Sequence, residues 1–288
     1  MTVSHADLVR RYYDRNTAAF DKLGQGGASI HRAVWGPGVT SRAEAFHHVD
    51  ELILAALPEG LRGADGTAEP LVVDLGCGLG ASLMYLAGRA PIRGEGLTIS
   101  PRQAEGATRL LARAGLAGRV RCREGNYLDV PDDLAGSADL VFSIEAFLHS
   151  PDAGGYFREA ARTLRPGGRL LVCDDFLTPA ADSPTLTPRA ARRLAEFREG
   201  WRVGSLLTVE RVRAAAAGHG LTLEDDLDLT PHLELRRPRD RFIAAVVAAG
   251  RPLRPRGEYW RMLSGGDALQ RCLLNGVLNY RFLRFSRG

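Results

Sequence analysis

The chain has 288 residues, 45% hydrophobic and 25% charged, enough to bury a sizeable core without disulfide or metal staples. No run approaches the roughly 20 apolar residues of a membrane span and Met-Thr-Val-Ser-His is not a secretory signal, so a soluble cytoplasmic protein is expected. The net charge of +4 comes almost wholly from arginine, Lys22 being the single lysine, and no Lys/Arg-aromatic stripe points to a nucleic-acid partner.

Residues 1–60 read as a helical N-terminal unit. Leu8 to Tyr13 opens it, and Ala45, Phe46, Val49, Leu52, Ile53 and Ala56 recur at three- and four-residue spacing after an irregular stretch from Gly24 to Gly38. Pro58 to Glu69 is a Gly- and Pro-rich linker. From Leu71, short apolar runs alternate with helical stretches: Leu71 to Val73, Glu95 to Ile99, Val120 to Glu124, Leu140 to Phe142 and Leu170 to Val172. That alternation predicts βαβ units, hence an α/β fold with a parallel sheet covered on both faces, over residues 70–288. A helical insertion is expected at about 178–205, then a helix from Thr208, its N-cap, to Gly218 or Gly220. Leu221 to Thr230 is a candidate sixth strand, and two helices follow within about 238–275. Tyr280 to Phe285 alternates apolar and basic residues as an edge strand would. Cys77, Cys122, Cys173 and Cys272 form no CxxC pair and read as small buried residues.

Asp74-Leu75-Gly76-Cys77-Gly78-Leu79-Gly80 follows the first strand and precedes a helix start at Ser82. Glycines at such a turn let the backbone approach a ligand closely. Gly-x-Gly-x-Gly preceded by an acid, with Glu124-Gly125-Asn126-Tyr127-Leu128-Asp129 after the third strand and Leu164-Arg165-Pro166-Gly167-Gly168 before the fifth, resembles the S-adenosylmethionine-dependent methyltransferases of the seven-stranded, Rossmann-like class. The resemblance implies a mostly parallel sheet with helices on both faces, residues 1–60 as a helical lid, and S-adenosylmethionine held by Asp74, Gly76, Cys77, Gly78, Thr98, Ser100, Gln103, Asn126 and Tyr127. Thr98 stands where that class usually keeps an acid for the ribose, and this variant resembles the branch of cyclopropane-fatty-acid synthases and sterol, tocopherol and terpene C-methyltransferases. Tyr127 reads equally well as packing.

Ser143-Ile144-Glu145-Ala146-Phe147-Leu148-His149 lies at the carboxyl end of strand four, where open α/β sheets bind ligands. If this segment opens a helix, Glu145 and His149 share one face. An alkene that accepts a methyl group becomes a carbocation, which needs an anion or π-face nearby and a base for its proton; Glu145 can serve as both. The bland readings are Glu145 as a helix cap or arginine partner and His149 as a satisfied core histidine.

The N-terminal segment, with Asp228-Leu229-Thr230-Pro231 and Glu234-Leu235-Arg236, resembles the bacterial prenyl-diphosphate C-methyltransferases of the geranyl diphosphate 2-C-methyltransferase kind. Where that group has Asn-Asn-Glu and three histidines, this chain has Ser143-Ile144-Glu145 and His31-Arg32-Ala33. The resemblance implies an alkene C-methyltransferase of a small isoprenoid acceptor in terpenoid secondary metabolism, with catalytic Glu145, His149 and Asn16. Its acceptor site would comprise Tyr12, Tyr13, His31, Arg32, Trp35, Phe147, Trp201 and Tyr259. Arg32 and the cluster Arg236, Arg237, Arg239 and Arg241 are candidates to clamp a diphosphate, with Mg²⁺ if it is needed, a solvated basic face being the more ordinary reading of any single one of them. An O- or N-methyltransferase of a small natural product is the alternative, and a homo-oligomer is left open.

Overall fold

The computed structural model describes residues 4–11, 13–14, 31–57, 69–183, 186–251 and 257–288. Tyr12 and Asn16 lie outside the described residues. The chain opens with α1, helical at residues 5–11 and 13–14, and then α2 (Arg42–Ala55). Five strands and three α-helices follow: β1 (Leu71–Leu75), α3 (Ala81–Ala87), β2 (Arg93–Thr98), α4 (Pro101–Arg113), β3 (Val120–Glu124), β4 (Ala138–Ile144), α5 (Ala153–Thr163) and β5 (Leu164–Leu177). The remainder is α6 (Pro188–Trp201), α7 (Val209–Ala217), β6 (Leu221–Asp228), α8 (Pro238–Gly250), α9 (Glu258–Leu274) and β7 (Leu278–Arg287).

The seven strands form one sheet in the order β3-β2-β1-β4-β5-β7-β6. The first five are parallel, and β7 runs antiparallel to both β5 and β6. This is the Rossmann-like arrangement expected from the alternation of apolar runs and helices. All five residues of β1 are buried, as a parallel strand covered on both faces requires. One core cluster contains Val72, Leu140, Phe142, Leu171 and Tyr280, the other Val73, Val141, Tyr156, Phe157 and Phe285. Neighbours in sequence thus divide between the two clusters because strand side chains alternate in direction.

Local chemistry sets the boundaries. Ser41 and Glu44 form a capping box on α2, and the Thr208 side chain accepts from the Arg211 N–H to cap α7. Two expectations are corrected. The strand at Tyr280 to Phe285 is interior to the sheet, and its basic residues face acids of β6 instead of solvent: Arg281 pairs with Asp226 at 2.6 Å and Asp228 at 3.3 Å, and Arg284 with Glu224 at 3.4 Å. The Leu164 to Gly168 motif lies inside β5 rather than before it, at a register shift against β4.

Candidate active site

The carboxyl ends of β1, β2, β4 and β5 open into a cavity that α1 and residues 31–32 also line. On its β1 side the turn from Gly76 to Gly80 has φ of 108°, 53° and 76° at its three glycines, which only residues without a Cβ adopt at little cost. A Cβ on Gly76 would collide with the Ala146 methyl group, so the glycine brings this turn against the residue that follows Glu145. Asp74 is 4% exposed and lines the cavity. Burial first, and Asp50 second, push its carboxyl well above the usual range. Among the described residues nothing hydrogen-bonds to it, so a cationic ligand would relieve a costly burial.

At the end of β2, Thr98 Oγ1 donates to Gln103 Oε1 at 2.8 Å. That bond orients the amide and leaves Gln103 Nε2 buried without a partner, on a residue that lines the cavity. An orphaned donor in such a place is suited to a ligand hydroxyl. Ser100 is corrected: it caps α4 by accepting from the Gln103 N–H at 3.2 Å, donates to Asp14 Oδ1 at 2.5 Å, and does not line the cavity. Asn126 Oδ1 accepts from the Leu128 N–H, Tyr127 donates to the Ala146 carbonyl at 3.2 Å, and both line the cavity with Cys77 and Gly78.

Across the cavity, Glu145 sits at φ 51°, an uncommon left-handed conformation for a side chain of this size. Its N–H donates to the Cys173 carbonyl of β5 at 2.8 Å. The expected helix is therefore absent at Glu145; a single 3₁₀ turn covers Phe147–His149. Three donors converge on Glu145 Oε1, each at 3.0 Å: the Arg32 N–H, Arg32 Nε and the Tyr280 hydroxyl. Oε2 has no hydrogen-bond partner among the described residues. Burial opposes ionisation of Glu145, but Arg32 and His31 outweigh it and hold the carboxyl below the usual range.

Arg32 also makes a two-pronged contact with Asp175, at 3.0 and 2.7 Å, and stacks 4.1 Å from the Tyr280 ring centroid. Its fork is therefore fully engaged, which corrects its expected role as a diphosphate clamp. Two carboxylates share this one guanidinium, leaving one negative charge uncompensated within the cluster. Asp175 and Tyr280 were not singled out in the sequence, although Asp174-Asp175 within the buried run of β5 is the signal that marks the place.

His149 is 5% exposed. Burial drives its imidazole down to about 4, so it is neutral at pH 7. Nδ1 faces the Arg202 carbonyl at 3.3 Å and must carry the proton; Nε2 then accepts from the Tyr13 hydroxyl at 2.9 Å. His5 Nε2 reaches the His149 carbonyl at 3.0 Å, so α1 is fastened to the site twice. Both ring nitrogens of His31 are buried without partners beside Glu145. Trp201 lines the cavity too.

Three expected acceptor residues stand elsewhere. Phe147 is 1% exposed inside the core among Tyr156, Phe157 and Phe176. Tyr259 is 71% exposed, and Trp35 packs against Ala33, Ala45 and Phe46. Arg237 pairs with Asp240, while Arg236 and Arg241 line a different cavity.

Residues 73–172 match the family described as a methyltransferase domain. Over those residues the chain carries a methyltransferase domain. Relatives of the chain include a probable tocopherol O-methyltransferase of Oryza sativa, 32% identical over 181 residues, which are 59% of this chain and 48% of that protein. The chain thus spans about half the length of that relative. A 27-O-demethylrifamycin SV methyltransferase of Amycolatopsis mediterranei is 28% identical over 232 residues, 81% of this chain and 80% of that one. In fold, the chain resembles the geranyl diphosphate C-methyltransferase of Streptomyces coelicolor, solved with Mg²⁺, geranyl diphosphate and S-adenosyl-L-homocysteine: TM-score 0.69, 20% identity, 100% of this chain and 99% of that one. The unpartnered Asp74 carboxyl, the orphaned Gln103 Nε2 and the Cβ-free cradle at Gly76 suit the cofactor of this class.

Proposed function

We propose that the chain is a C-methyltransferase that methylates an alkene carbon of an isoprenoid, a prenyl diphosphate, in terpenoid secondary metabolism. The observation that carries this reading is the ionised, enclosed Glu145 carboxylate, whose Oε2 has no hydrogen-bond partner among the described residues, one residue from the alanine that touches the glycine turn. S-adenosylmethionine would supply an electrophilic methyl group on a cationic sulfur. Asp74 would face its ammonium group, Gln103 Nε2 a ribose hydroxyl, and Asn126 and Tyr127 the adenine.

Methylation of an alkene leaves positive charge on the acceptor, and a fixed anion in a water-poor site stabilises such charge far better than water-exposed groups do. The Arg32, Glu145 and Asp175 cluster supplies that anion, with Glu145 Oε2 able to receive the proton that is lost afterwards. Tyr13 and Trp201 add ring faces, each worth about 0.5 to 2 kcal/mol toward a nearby cation. Residues 1–60 would act as the lid, with α1 held at His149. In this reading Mg²⁺, where it is needed, would accompany the diphosphate of the acceptor.

A second reading, heteroatom methylation of a small natural product, is favoured by the O-methyltransferases among the relatives. Methyl transfer to oxygen or nitrogen needs proximity and alignment but no counter-anion for a carbocation. The two separate on incubation of the full chain with methyl-labelled S-adenosylmethionine and a panel of prenyl diphosphates and hydroxylated acceptors. Label on carbon of a prenyl diphosphate supports the first reading; label found solely on oxygen or nitrogen contradicts it.

A further inference from the structure

A second cavity, of about 730 Å³, lies where α6, α8 and α9 meet the turn into β7, and it shares no lining residue with the first. Five arginines line it, Arg189, Arg193, Arg236, Arg241 and Arg271, against two aspartates, Asp240 and Asp267. Both aspartates are occupied: Asp267 by Arg271 at 2.9 Å and Arg251 at 3.8 Å, and Asp240 by Arg237 at 2.8 Å. Arg189, Arg193, Arg236 and Arg241 make no side-chain hydrogen bond or ion pair among the described residues.

Arg189, Arg236 and Arg241 are exposed, whereas Arg193 is half-buried, and most of the other half-buried arginines hold a carboxylate. The Arg193 guanidinium is pulled down by burial and by repulsion from Arg189 and Arg271. Arg236 is held in the left-handed region at φ 65°, unfavourable for a residue with a long side chain. Like charges gathered on three helices and the segment before α8 around a concavity raise the free energy of the ligand-free protein, and a multivalent anion removes that repulsion. The lining bears five positive groups and two negative ones, a net +3, and a diphosphate group carries a comparable negative charge. Guanidinium forks also match phosphate oxygens two at a time.

We propose that this cavity is a binding site for a diphosphate-bearing small molecule, separate from the cavity that holds Glu145. The test is calorimetric titration of the full chain, saturated with S-adenosyl-L-homocysteine, with inorganic diphosphate; geranyl diphosphate and adenosine diphosphate are run as parallel arms to separate a prenyl from a nucleotide source. The double variants R189Q/R193Q and R236Q/R241Q should each bind the preferred diphosphate at least tenfold more weakly and keep wild-type affinity for S-adenosyl-L-homocysteine. Diphosphate should raise the melting temperature of the wild type and not of the variants, whose own melting temperatures should be no lower. The lysine variants R189K/R193K keep the charge but lose the fork, and should bind several-fold more weakly. Equal diphosphate affinity in the wild type and the glutamine variants would overturn the proposal, as would full retention in the lysine variants, the behaviour of a diffuse basic face.

Discussion

The two cavities use arginine in opposite ways. In the first, one guanidinium, Arg32, is shared by Glu145 and Asp175 and stacked on Tyr280, so the arginine is satisfied and the carboxylates are in excess. In the second, four arginines have no acidic partner among the described residues and the two aspartates are in use. The part of the first cavity around Glu145 is therefore preset for positive charge and the second cavity for negative charge. Charge surplus, rather than the number of charged residues, distinguishes what each can receive. An overall charge of +4 conceals both.

Variants can break or sharpen that contrast, beginning with the largest effect. Arg32→Ala strands two buried carboxylates, a situation that typically costs about 3 to 5 kcal/mol; chemical denaturation should show a loss of that order, and Asp175→Asn added to it should recover part by removing one stranded charge. A loss below about 1 kcal/mol would mean that the cluster is not electrostatically coupled.

His149 gives the next effect, through pH. Its folded pKa of about 4 lies below the unfolded value near 6.5. Between these values the unfolded chain binds a proton that the folded chain does not, so stability rises with pH across the window and is lost as pH falls from about 6.5 toward 4. The full effect is about 3 kcal/mol. His149→Gln should flatten the slope of melting temperature against pH between 4 and 6.5, and an unchanged slope would show that the neutral imidazole is not its source. Arg193→Gln sits at the other extreme. With no partner to lose, it should change stability by no more than about 0.5 kcal/mol, or raise it slightly by easing the repulsion around Arg189 and Arg271.

Much of the fold is legible in the sequence because apolar runs and helix-length stretches alternate, and because caps such as Thr208 act within one turn of the chain. The strand at Tyr280 to Phe285 was misplaced at the sheet edge because alternating basic residues look the same whether they face water or an acidic neighbour. The acids opposite, Glu224 to Asp228, lie more than 50 residues away. In the site, Asp74, Gly76, Thr98 and Glu145 could be singled out because they stand at strand ends, and Gln103 because it lies in the first turn of the helix that follows β2. Local spacing could not reveal Arg32 with Asp175 and Tyr280, since that cluster joins the N-terminal segment to β5 and β7. Phe147 and Tyr259 were misjudged for a related reason: an aromatic residue near a motif fits a core or a surface as well as a cavity.

The central claim is that the charge on Glu145 acts on the reacting acceptor. Glu145→Gln keeps an oxygen for Arg32 and Tyr280 to donate to while it removes that charge, so methyl transfer to a prenyl diphosphate should be compared in the variant and the wild type alongside the affinity for S-adenosyl-L-homocysteine. A fall in turnover of about 10²- to 10³-fold, with cofactor-product affinity held within about threefold (under 1 kcal/mol), is the predicted result. Undiminished turnover in the variant would contradict the account.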